Sequence, residues 1–147
     1  MTITIGTTLE LAADAFVQGE RRRCIGIDEF RGSWAVVALG ARTADLRELA
    51  ALDDAFSADG AILLAATPDD YYEAAGRLVR EPVRFPVLTD VEEARRITLI
   101  LDPHGVIRHV GVRRSARETL EAFTTIRARE RELCPTCGRE HDLARAA

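Results

Sequence analysis

The stretch Cys134-Pro135-Thr136-Cys137-Gly138 concentrates the most reactive chemistry of the sequence. Two cysteines separated by two residues bring their sulfurs close enough to close a disulfide or to share one metal ion. The glycine that follows suits a zinc knuckle, whose backbone turns its amides toward the sulfurs. His141 stands four residues after Cys137, so Cys134, Cys137 and His141 could supply three zinc ligands. A fourth would come from Cys24, Asp142, water or another chain. The same two sulfurs equally fit a reversible dithiol, and they also fit two exposed thiols with no task. Elsewhere the plain readings suffice. Cys24 precedes an apolar run and is expected as a small buried side chain. His104 and His109 are expected to face solvent, and of Tyr71 and Tyr72 one ring is expected in the core and one outside.

The chain that must position these groups has 147 residues, enough for one core. Its 20 basic and 24 acidic residues leave a net charge of −4 with no basic stripe, which argues against nucleic acid as a partner. Arg21-Arg22-Arg23 is the densest basic run and reads as a solvated loop. No segment approaches the roughly 20 apolar residues that cross a bilayer, and Met1–Phe16 lacks the pattern of a signal peptide. A cytoplasmic protein is expected. There, three cysteines speak for redox, metal-binding or buried roles rather than structural disulfides.

Four apolar runs read as strands: Trp34–Leu39, Ala61–Ala66, Ile97–Leu101 and Val106–Val112. The first three are almost continuously apolar, as strands buried on both faces are. Asp102-Pro103-His104-Gly105 joins the last two as a hairpin turn. Leu46, Leu49, Leu52 and Phe56 form one stripe of a helix over Asp45–Phe56, and Tyr72, Ala75 and Val79 one of a helix over Asp69–Arg80. Ser115 and Glu118 make a capping box for a final helix reaching about Leu133, with Leu120, Phe123 and Ile126 inward. Met1–Arg31 is less regular, a short strand or hairpin. Strand, helix, strand, helix, hairpin, helix is the order of a thioredoxin-like α/β domain, a central mixed sheet flanked by helices. The expected division is a domain over residues 1–133 and a tail over 134–147 that carries the two cysteines.

Taken in order, these segments resemble the alkyl hydroperoxide reductase and thiol-specific antioxidant family, the peroxiredoxins. IGIDEFRGSWAVVAL at Ile25–Leu39 is similar to the family's "sLsdFrGkwvvLff", and Ala61–Ala75 to its next strand and helix. FPVLTD at Phe85–Asp90 resembles "FPLLSD", and RITLILDPHGVIRH at Arg96–His109 resembles "RaTFIIDPdGvIRH". Arg114–Cys137 resembles the closing helix and "ELC" tail of two-cysteine members. The resemblance implies a pocket in which a thiolate opens the helix after the first core strand, three residues after a threonine, with a distant arginine completing it. Thr43 matches the threonine, Arg96 the arginine and Cys134 the resolving cysteine, while Leu46 stands where the attacking cysteine is expected. The loop Gly40–Leu46 is shorter than the family's, and only Val91–Arg95 remain where the family has a helix. One flank of the fold is therefore expected to be exposed or covered by something else.

A leucine cannot form the thiolate that attacks a peroxide. The expectation is a peroxiredoxin-like protein without peroxidase activity, binding a protein partner as an accessory or chaperone-like scaffold. The alternatives are a thiol-disulfide oxidoreductase working through Cys134 and Cys137, or a structural zinc site in the same tail. The resemblance also implies a homodimer in which the tail crosses to the partner. Beyond a candidate zinc ion, no cofactor is expected.

Overall fold

The computed structural model describes residues 2–133. The three most apolar runs become three strands with the predicted limits: β3 (Trp34–Leu39), β4 (Ala61–Ala66) and β6 (Ile97–Leu101). Around them lie β1 (Ala12–Phe16), β2 (Arg23–Gly26), β5 (Val87–Leu88) and β7 (Ile107–Val112). The seven strands form one mixed sheet in the order β2-β1-β5-β4-β3-β6-β7. β3, β4 and β5 run parallel, while β1–β2, β1–β5, β3–β6 and β6–β7 are antiparallel. The irregular N-terminal region is thus a hairpin built into the sheet. Two-residue β5 carries no periodicity of its own; it is a strand because Val87 and Leu88 find partners on both sides, in β4 and β1.

Alternate residues of a strand point to opposite faces, and both faces here are buried. Trp34, Val36 and Ala38 join one apolar cluster, Ala35, Val37 and Leu39 the other. The first cluster takes the inward side chains of the helices: Leu46 and Leu49 of α1 (Thr43–Ala51), Phe56 of α2 (Asp53–Ala58), Leu78 of α3 (Tyr71–Leu78) and Phe123 of α4 (Ala116–Leu133). Phe123 is the hub, its ring 5.7 Å from Trp34 and 6.5 Å from Phe56. The capping box of α4 forms as expected: Glu118 N–H donates to Ser115 Oγ, and Ser115 N–H to the Glu118 carboxylate.

Two helical expectations need correction. The helix over Asp45–Phe56 is broken at Leu52, whose N–H turns back to Leu49 O in a 3-10 step, and Asp53-Asp54 then open the first turn of α2. The apolar stripe survives the break because Leu46, Leu49 and Phe56 still face the sheet. In α3 the buried positions are Ala74 and Leu78, with Tyr71 and Ala75 beside them, while Tyr72 and Val79 are exposed. The true stripe runs one residue off the expected one, a rotation of about 100° around the axis. Asp70 ends the ambiguity by capping this helix, its carboxylate accepting from Glu73 N–H. The tyrosines divide as expected, Tyr71 partly buried and Tyr72 outside.

Among the described residues no α-helix contributes to the second cluster. Instead Leu9 of the N-terminal arm, Ile27 of the turn Ile27–Phe30, and Val91 of the connection 89–96 cover that face, with Leu11 and Phe30 packed beside them. The flank is covered rather than exposed. No helix among the described residues is long and apolar enough to cross a membrane.

Candidate functional site

The turn from β3 into α1 is where the resemblance places a pocket. Gly40 ends β3 with φ +59°, and the connection 89–96 passes directly over it. A Cβ at Gly40 would lie 2.3 Å from Arg95 O and 2.8 Å from Ala94 O, so only glycine permits the approach. The connection is pinned on its far side by Val91 N–H to Thr67 O (3.0 Å) and by Thr89, whose N–H and hydroxyl both donate to Asp14 O.

The three residues expected at the pocket, Thr43 and Leu46 on α1 and Arg96 just ahead of β6, turn to different partners. Leu46 is fully buried in the first apolar cluster. Thr43 looks the other way, its hydroxyl accepting from Arg77 Nη1 at 2.9 Å, while Arg77 also reaches Asp69 at 2.7 Å. Arg96 does come to α1, but to Asp45: its Nε donates to Oδ2 at 3.0 Å and its Nη2 to Oδ1. Asp45 also accepts from the Arg42 N–H at 3.0 Å, capping α1. The arginine kept from the resemblance is therefore occupied by a carboxylate next to the leucine. The pairing joins residues 51 positions apart, and no local spacing in the sequence signals it.

Burial works against the charge of Asp45, but the hydrogen bonds from Arg96 and Arg42 outweigh it and hold the carboxyl below its ordinary value of 3.8. A carboxyl depressed in the folded state stabilises fully above its unfolded pKa, and that stabilisation is lost as pH falls through the folded value. The two side chains are 20% and 31% exposed, so the pair is screened in part. Asp45→Asn keeps an oxygen for the cap and is expected to cost about 1 kcal/mol at neutral pH. In urea titrations the gap from wild type should narrow steadily below about pH 4. A gap that is unchanged at pH 2.5 would mean the charge is not what stabilises.

Beside this pair opens a cleft of about 500 Å³ lined by Arg42, Ala94, Arg95, Arg96, Val112 and Arg113. A second opening of about 410 Å³ shares Arg42 and Ala94 with it and reaches Thr43, Asp69 and Arg77. Arg95 is held by Glu93, with Nε to Oε1 at 2.6 Å. Arg42 lines both openings, Arg113 the first and Arg77 the second, and only the fold brings them to these rims.

The remaining candidates stand apart. Cys24 is exposed, not buried: it lies on β2, which among the described residues pairs only with β1. His104 is exposed at the hairpin turn as expected, whereas His109 is half-buried. Burial, and then Arg114, lower its pKa below 6.5, so it is mostly neutral at pH 7. Among the described residues no three His, Cys, Asp or Glu side chains are grouped to hold a metal. Cys134, Cys137 and His141, with Asp142, lie outside the described residues.

No protein-family model matches the sequence, and no curated protein matches it. Solved structures do. AhpC of Mycobacterium tuberculosis superposes with a TM-score of 0.74 at 20% identity, over 87% of this chain and 95% of that one. Enterococcus faecalis AhpC gives 0.72 at 17% identity, over 84% and 94%. Xylella fastidiosa PrxQ gives 0.69 at 15% identity, over 85% and 98%. At these identities the likeness speaks for the backbone arrangement, which it covers nearly end to end. The seven-stranded mixed sheet with its helices is a peroxiredoxin-like thioredoxin fold.

Proposed function

We infer that this is a peroxiredoxin-like protein that does not reduce peroxides and serves instead as a protein-binding, accessory or chaperone-like scaffold. The observation that carries the reading is the occupancy of the α1 turn. Leu46 is fully buried at the position matched to the attacking cysteine, and Asp45 engages Arg96 beside it. Peroxide reduction needs a thiolate held near a cation, and here the cation already faces a carboxylate that cannot be oxidised. A thioredoxin-type sheet remains a rigid platform without its thiolate, since fold and chemistry are separable. Because Leu9, Ile27 and Val91 cover the second face, a protein partner would dock elsewhere on the surface. A cytoplasmic location and a homodimer belong to the same proposal.

A second reading places a thiol-disulfide oxidoreductase, or a structural zinc site, in Cys134, Cys137 and His141. One experiment addresses all three. Hydrogen peroxide consumption by the purified chain is followed with a thiol reductant, with cysteine labelling before and after oxidation and zinc analysis of the same preparation. Consumption no faster than that of free cysteine supports the scaffold reading. Rapid turnover that survives Cys24→Ser would eliminate it, and turnover lost in Cys134→Ser or Cys137→Ser would move the activity to the tail.

A further inference from the structure

Helix α3 is apolar on two sides. Ala74 and Leu78 are buried against the sheet, and Tyr71 and Ala75 pack beside them. The stripe that the spacing predicted for the core turns outward instead: Tyr72 is 76% exposed and Val79 53% exposed. Ile5 and Val112 are the other large apolar side chains exposed among the described residues, so half of them lie on this one helix face, two turns apart. Arg22 covers one side of the Tyr72 ring and leaves the outer side open. A helix that is apolar on two sides suits two neighbours, and the sheet supplies only one.

The charges that flank this face are segregated along the axis. Asp70 and Glu73 stand at the start of α3, and Arg80 just past its end. Neither Glu73 nor Arg80 forms an ion pair with any described residue. The neighbouring Asp70 carboxylate raises the Glu73 carboxyl above its ordinary value of 4.5, with Asp69 and Asp90 adding to it. Between the two exposed apolar side chains sits Gly76. A Cβ there would meet nothing within 4 Å, so packing inside this chain does not require a glycine, which weakens a helix interior. Its missing side chain leaves a notch in the outer face where a second backbone can come close.

We propose that the outer face of α3 is a dimer interface, at which a second copy of this chain packs its own α3 antiparallel about a two-fold axis between Ala75 and Gly76. That register sets Tyr72 level with Val79 of the second copy and, by symmetry, Val79 with its Tyr72. It carries Arg80 of the second copy between Asp70 and Glu73, so each acidic start meets a basic end and the helix dipoles oppose. One patch thereby complements itself, whereas a parallel arrangement would set like charges level. The interface rests on the homodimer included in the functional reading above and names its surface. It requires no redox chemistry.

The test is sedimentation equilibrium of the full chain under a thiol reductant, which removes disulfide-linked dimers. A dimer with Kd of about 1–100 μM is expected from a contact this small. Gly76→Gln discriminates best: it has room within the chain and favours the helix, so it should melt no lower than wild type while weakening the dimer about tenfold or more. Glu73→Arg and Arg80→Glu should each weaken the dimer about tenfold, and the double exchange Glu73→Arg/Arg80→Glu should bind more tightly than either single variant. Val112→Glu, on β7 at the far end of the sheet, should dimerise as wild type does. A chain still monomeric at about 1 mM would remove the homodimer and this interface together. A dimer that persists in Gly76→Gln, or a double exchange no tighter than its singles, would overturn the α3 interface and leave the homodimer standing.

Discussion

A cysteine installed at position 46 is expected to stay silent toward peroxide. In a background of Cys24→Ser, Cys134→Ser and Cys137→Ser, Leu46→Cys leaves one thiol at the position where the resemblance calls for the reactive one. Two facts work against it. Leu46 is wholly enclosed in the cluster that includes Leu49 and Phe123, so the thiol enters an apolar core, where burial raises its pKa and suppresses the thiolate. Arg96, the cation that would favour the anion, is committed to Asp45 through two hydrogen bonds. The variant should consume peroxide no faster than its cysteine-free parent. Native alkylation of Cys at this position should run about a hundredfold or more slower than in denaturant, because the group is reached only through opening of the structure. The smaller side chain also leaves a cavity and should cost about 1–3 kcal/mol. Fast peroxide turnover by this variant would show that the pocket is intact and that only its sulfur was missing.

The second large effect concerns Gly40. Gly40→Ala must accept a β-carbon 2.3 Å from one backbone oxygen and 2.8 Å from another, at a positive φ. Neither obstacle is the movable end of a side chain, so either the β3–α1 turn or the connection 89–96 has to give way. A loss of about 2–4 kcal/mol in urea denaturation is expected, the sum of backbone strain and overpacking. Gly60→Ala is the matched control: its φ is +86° and nothing lies within 4 Å of the added carbon. Only the conformational part should appear there, about 1 kcal/mol. Equal losses at the two sites would mean that the connection does not press on Gly40.

These two sites show where sequence reasoning reached and where it stopped. Trp34–Leu39, Ala61–Ala66 and Ile97–Leu101 were readable to the residue because a strand buried on both faces announces itself as an unbroken apolar run. Ser115 and Glu118 were readable because a capping box is local. Tyr72 misled because an apolar tyrosine at helical spacing looks like core until the neighbouring sheet decides which face turns inward. The resemblance led to Arg96 but could not supply its partner, since Asp45 is brought to it by β6 lying beside β3. Arg42 and Arg113 come to line one cleft for the same reason. Charges on separate surface loops carry no periodicity, and only tertiary structure makes them neighbours.

The sheet order has a consequence for how the chain reaches its folded form. β1 is held between β2, which follows it closely, and β5, some seventy residues further on. The N-terminal arm is fastened later still, with Gly6 and Leu9 donating to Ile107 O and Gly105 O. On a ribosome the first hairpin can close early, yet its docking must wait for Val87–Leu88, and the arm for the Asp102–Gly105 turn. Such distant pairings raise contact order and slow the search for the native state. Until they form, the apolar edges of β3 and β4 stand open to other nascent chains, and the late arrival of residues 87–107 sets the length of that exposed interval.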